Sequence, residues 1–190
     1  MEMWMVITVA AVAAVLLVAI VALVMQAQRR RKGTERLQSK FGNEYNKAVG
    51  IVGRKKGEAD LEERRARVQG FELHPLGASE AERFTGLWTA TQARFVDDPG
   101  GAIADADRLL SEVMQARGYP VSDFEQRAAD LSVDHPEFVA NYRAAHAKAV
   151  KHSQGGTSTE ELRQAMVNYR WLFTDLVATD RQPEPQAAAV

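Results

Sequence analysis

Residues 4–25, WMVITVAAVAAVLLVAIVALVM, constrain this chain more than any other stretch. They form 22 consecutive positions without a charge, and Thr8 is the only clearly polar side chain among them. A hydrocarbon core about 30 Å thick is spanned by roughly 20 helical residues. Backbone amides have no partner in lipid other than their own helix. The run therefore predicts a membrane-spanning helix, with Trp4 at one interface. A cleaved signal peptide would carry positive charge before a shorter apolar core. Here Met1, Glu2 and Met3 precede the run, and the cations Arg29, Arg30, Arg31 and Lys32 follow it. That asymmetry predicts a short outer N-terminus and a C-terminal domain on the cytoplasmic face. The absence of cysteine agrees with a reducing compartment.

Charge divides the remainder. Residues 26–70 carry 13 Lys and Arg against 6 Asp and Glu, a net of +7. Residues 71–190 carry 11 against 18, a net of −7. The basic half suits anionic lipid headgroups, at about 1 kcal/mol per cation near the surface. Arg29, Arg30, Arg31 and Lys32 are its candidate membrane-surface residues. An acidic globular half argues against nucleic acid as a partner.

Helical periodicity dominates from residue 26 onward, and no useful length alternates with period two. The first helix is expected to continue to Phe41, break at Gly42, and restart with Asn43 as N-cap. Tyr45, Ala48, Val49 and Val52 share one face of a short second helix. Residues 58–69, EADLEERRARVQ, read either as a solvated arm or as a helix covering the domain by a thin stripe containing Leu61 and Val68. A linker with Pro75 follows. Ser79, Ser122 and Ser158 each begin a capping-box pattern, Asp98 directly precedes Pro99 as an N-cap should, and Asp134 is expected to cap a helix that opens with His135, Pro136 and Glu137. The expected buried faces include Phe84, Leu87, Trp88, Thr91 and Phe95, then Ile103, Ala106, Leu109, Leu110, Val113 and Met114. In the last helix they are Leu162, Ala165, Met166, Tyr169, Leu172, Phe173 and Leu176. The fold class is thus all-α: an N-terminal transmembrane helix, a basic helical spacer and a four- to five-helix bundle. The division is 1–28 for the anchor, 29–78 for basic helices and linker, 79–178 for the bundle, and 179–190 for a disordered polar tail.

No catalytic, cofactor or metal motif stands out. His146 and His152 are six apart and fall on different helix faces, which does not suit paired ligation. Asp134 and His135 invite an acid–base reading, but the capping role explains Asp134 more simply. There is no G-x-S-x-G and no phosphate-binding P-loop. Trp171 falls beside the buried stripe of the last helix, so Trp171 and Arg170 are the candidate partner contact.

The runs FGNEYNKAVG, ARFVDDPGGAIADADRLLSEVM and RGYPVSDFEQRAADLSVDHPEFVANYRAAH resemble a widespread bacterial family of small single-pass membrane proteins of unknown function. The resemblance implies a bacterial inner-membrane location and transfers no catalytic residue. The expectation is a non-enzymatic, membrane-tethered interaction or scaffold domain with a protein partner still to be identified. The alternative is a membrane-anchored small-molecule or envelope-stress sensor, with its pocket near Gly118, Tyr119, Pro120 and His135.

Overall fold

A computed structural model describes residues 2–120 and 122–178, without the side chains of 2, 5–16, 18, 19 and 30. Among the described residues the chain is all-α, with eight helices and no strand. They are α1 (Glu2–Phe41), α2 (Asn43–Val52), α3 (Arg54–Gln69), α4 (Ala78–Arg94), α5 (Pro99–Ala116), α6 (Phe124–Asp134), α7 (Pro136–Ser153) and α8 (Thr159–Val177). The tail expected from 179 lies outside the described residues.

α1 is a single helix of 40 residues. Its apolar half continues without a break through the cationic segment and ends with Leu37 and Phe41 buried in the domain. Gly42 ends it, at a φ of 49° that favours glycine. Asn43 was expected to cap α2. Gly42 instead occupies the cap position, with no side-chain bond, and Asn43 is the first helical residue. Among the described residues no helix is long and apolar enough to cross a membrane. Most side chains of 4–25 lie outside that description.

Two apolar cores organise the rest. The larger joins α4, α5, α6, α7 and α8, with Trp88 stacked on Phe173 at a centroid distance of 4.6 Å. The stripe expected on α8 is buried at every position, as is that of α5. Leu87 departs from its expected face and is exposed. The smaller core contains Leu37, Phe41, Tyr45, Ala48, Leu61, Val68 and Val133. Of the two readings of α3, the covering helix is the one realised: Leu61 and Val68 are buried. α3 approaches α2 so closely that a Cβ on Gly57 would lie 2.9 Å from the Ala48 backbone.

Local capping chemistry sets the helix starts. The Asp98 carboxylate accepts from the Gly101 amide, with Pro99 in the first turn. Ser158 and Glu161 form a reciprocal capping box at α8. Two expected caps move. α4 begins at Ala78, and Glu80 accepts from the Gly77 amide, so Ser79 lies inside the helix. At α6 Asp123 accepts from the Gln126 amide in place of Ser122. Asp and Ser are comparably good caps, so adjacent candidates compete. The cap expected of Asp134 is absent. α6 continues through Asp134, and His135 alone separates α6 from α7 without a side-chain cap bond.

Candidate functional site

The cationic end is built by α1, α2 and α3. Arg29, Arg31 and Lys32 are exposed there, while the side chain of Arg30 lies outside the described residues. α2 runs back along α1, and α3 returns beside both. Thr34 donates to Glu58 at 2.8 Å, and Tyr45 donates to the same oxygen at 2.9 Å. Burial and this carboxylate raise the Tyr45 phenol above its ordinary value, keeping it a donor. Between α1 and α3 lies an open cleft of about 1130 Å³, lined on its basic side by Arg31, Arg54 and Lys55.

Behind this cleft the basic helix is fastened to the acidic domain. Arg67 donates through Nε to the Asp130 carboxylate at 2.9 Å, and Gln126 donates to the same oxygen at 2.8 Å. Asp130 itself is buried. Arg64 pairs with Asp60 at 2.6 Å and lies 3.8 Å from Glu44. Arg143 on α7 donates to Glu44 at 3.3 Å. Glu44 is therefore a buried carboxylate between two guanidinium groups from α3 and α7. Two cations that composition alone would assign to the bilayer are thus held by the domain. The pattern was invisible in sequence, because the partners of Arg67 and Arg143 are 63 and 99 residues away.

The corner expected to hold a ligand pocket is where the linker before α4 packs against the end of α5. Gly118 has φ 94°, and a Cβ there would lie 2.3 Å from the Glu72 carbonyl oxygen. The His74 amide donates to the Arg117 carbonyl, and Arg117 donates to the Leu176 carbonyl at 2.8 Å. Tyr119 is buried against Phe71 and 3.5 Å from Asp134, whose carboxylate is exposed. Burial, then the Asp134 charge, raises the Tyr119 phenol.

His135 is hydrogen-bonded through Nδ1 to Asp175, and both side chains are buried. A histidine with a carboxylate on Nδ1 is also the base half of a hydrolytic triad. Neither residue lines the α1–α3 cleft or the smaller cleft between α4 and α5. The pair therefore clasps the α6–α7 corner to the end of α8. A further polar group lies between α5, α6, α7 and α8. Tyr169 donates to Asp107 at 3.2 Å, and Arg127 donates to Tyr142 at 3.3 Å. Burial and the Asp107 charge push Tyr142 up to about 12 and raise Tyr169 as well. His146 stacks on Phe124, with centroids 3.5 Å apart. No group of three or more potential metal ligands converges among the described residues.

Trp171 is 54% exposed, and Arg170 beside it is exposed. They lie on the face of α8 opposite Leu172, Phe173 and Leu176, away from the α1–α3 cleft lining. No family model, curated protein or solved structure matches the chain.

Proposed function

We propose that the protein is a membrane-tethered helical interaction or scaffold domain, held at the cytoplasmic face of a bacterial inner membrane. The observation that carries this reading is the continuity of α1. One helix contains the 22-residue apolar run, then the cations, then two side chains buried in the domain. Ile20, Val21, Leu23, Val24 and Met25 are large, apolar and exposed on successive sides of that helix. Among the described residues nothing covers them, and an apolar helix exposed on successive sides favours lipid. The cations after the run favour retention on the cytoplasmic side and anionic lipid headgroups as neighbours. The motif resemblance to single-pass bacterial proteins of unknown function is consistent with this location.

The interaction half of the proposal rests on Trp171 and Arg170, an exposed indole and guanidinium of the kind that anchor protein interfaces. Their position leaves them accessible to a cytoplasmic protein while the other end of the molecule faces lipid. Alkaline phosphatase fused after Val190 is expected to be inactive in cells, and the fusion should stay in the membrane fraction through carbonate extraction. An active phosphatase would overturn the orientation, and carbonate release would overturn the tether. A photo-crosslinker at Trp171 should give a discrete protein adduct that is lost on Arg170→Glu. No adduct would remove the interaction half.

A further inference from the structure

The turn between α2 and α3 carries a combination that the fold does not use. Ile51 is 72% exposed and Val52 is 49% exposed. Gly53 follows with φ 82°, and then come Arg54, Lys55 and Lys56, all exposed and without an ion pair among the described residues. Three cations at a helix N-terminus oppose the helix dipole, and α3 has no acid in its first turn to offset them. A buried apolar pair or a paired cation cluster would be explained by packing, but these residues are neither.

Their place in the fold supplies the explanation. α1 leaves the apolar run at residue 25 and is buried from Leu37. α2 then doubles back for ten residues, about 15 Å of helix rise. That return brings the α2–α3 turn back to the level of the cations on α1. The Thr34–Glu58 hydrogen bond fixes the alignment, and Arg31, Arg54 and Lys55 line the same cleft. We infer that the α2–α3 turn is a second membrane contact: Ile51 and Val52 enter the interfacial layer, and Arg54, Lys55 and Lys56 bind anionic headgroups. Arg64 and Arg67 take no part, because Asp60, Glu44 and Asp130 hold them. The occupant is a lipid surface, selected by charge complementarity and by continuity with the anchor. This inference rests on the tethered reading of α1.

The full chain contains no cysteine, so single-site labels are unambiguous. Ile51→Cys, Ile20→Cys and Val96→Cys, each carrying an environment-sensitive fluorophore, are reconstituted into vesicles with nitroxide-bearing lipids. The vesicles are phosphatidylcholine alone or phosphatidylcholine with phosphatidylglycerol. In anionic vesicles a label at 51 should show a blue shift and quenching comparable with those at 20, while 96 stays in water. Arg54→Gln, Lys55→Gln and Lys56→Gln together should weaken that docking by roughly five-fold per charge. If 51 behaves like 96 while 20 is quenched, the second contact is overturned and the anchor stands. An unquenched label at 20 overturns both. Quenching at 51 that ignores phosphatidylglycerol and the triple substitution overturns the headgroup assignment.

Discussion

Leu110 and Leu61 are equally buried, but in cores of different construction. Around Leu110, helices α4 to α8 and the loop residues Leu76 and Tyr119 bring together twenty-three buried apolar residues among those described, with stacked and tilted aromatic pairs. Around Leu61, seven such residues suffice, and the helices are fastened at the edge by Glu44, Asp130 and three arginines. The apolar core is indifferent to ionic strength. The proximal one depends on ion pairs whose carboxylates, Glu44 and Asp130, are buried and whose arginines are partly exposed, so salt weakens them in part. The region nearest the proposed membrane surface is therefore the part whose stability responds to its electrostatic surroundings, and the distal bundle is the fixed scaffold beneath it.

Substitutions in each core test this contrast. The largest effect is expected from Phe84→Ala in the distal core, where the side chain is fully buried. It should cost about 3–5 kcal/mol and appear as loss of global stability in denaturant. A loss confined to α4 would contradict the single distal core. Asp130→Ala should cost about 2 kcal/mol, since it strands Arg67, which remains about one-third exposed, and removes a buried acceptor. Hydrogen exchange should then accelerate in α2 and α3 and leave α5 and α8 protected. Uniform acceleration would show that the two cores unfold as one. Gly118→Ala should cost about 1–3 kcal/mol, because the residue combines a left-handed φ with backbone contact at Glu72. Its signature is faster exchange at the His74 amide, which bonds Arg117, and an unchanged rate there would refute the close approach.

The smallest expected effect is an acid response at the start of α8. The Ser158 amide, then Lys151, holds the Glu161 carboxyl down to about 2, below its ordinary 4.5. A depressed folded value stabilises above the unfolded value and loses that contribution as pH falls from about 4.5 toward about 2. Helix α8 should fray at its first turn in that window, and Glu161→Gln should reduce the pH dependence, leaving the part contributed by Glu160, which Arg163 also holds down to about 2. An undiminished transition in that variant would assign it to Glu160 alone.

What was legible in the sequence was local. Helix periodicity placed the buried stripes of α5 and α8, and the Asp98–Pro99 and Ser158–Glu161 caps formed where their spacing required. The errors arose where two short-range solutions compete. Gly77, two residues before Ser79, and Asp123, next to Ser122, took the cap positions. Asp134 was available to cap, but α6 was extended through it, and the following His135 turned inward to Asp175. That partner is 40 residues away, and no periodicity encodes such a pairing. The candidate site divides in the same way. Exposure at Trp171 followed from its offset from Tyr169 and Phe173, whereas the allocation of arginines between domain and solvent depended on tertiary packing.

α1 is about 60 Å long and has no break before Gly42. A domain on a flexible string samples every orientation, and its partner sees only an increased local concentration. A domain on a stiff shaft inherits the tilt and rotation of that shaft. If α1 spans a bilayer as proposed, any change in bilayer thickness that alters the tilt of its apolar half would swing the bundle as a lever. Trp171 would then be presented at a different height and angle, so the mechanical state of the membrane would become a property that a cytoplasmic partner can read.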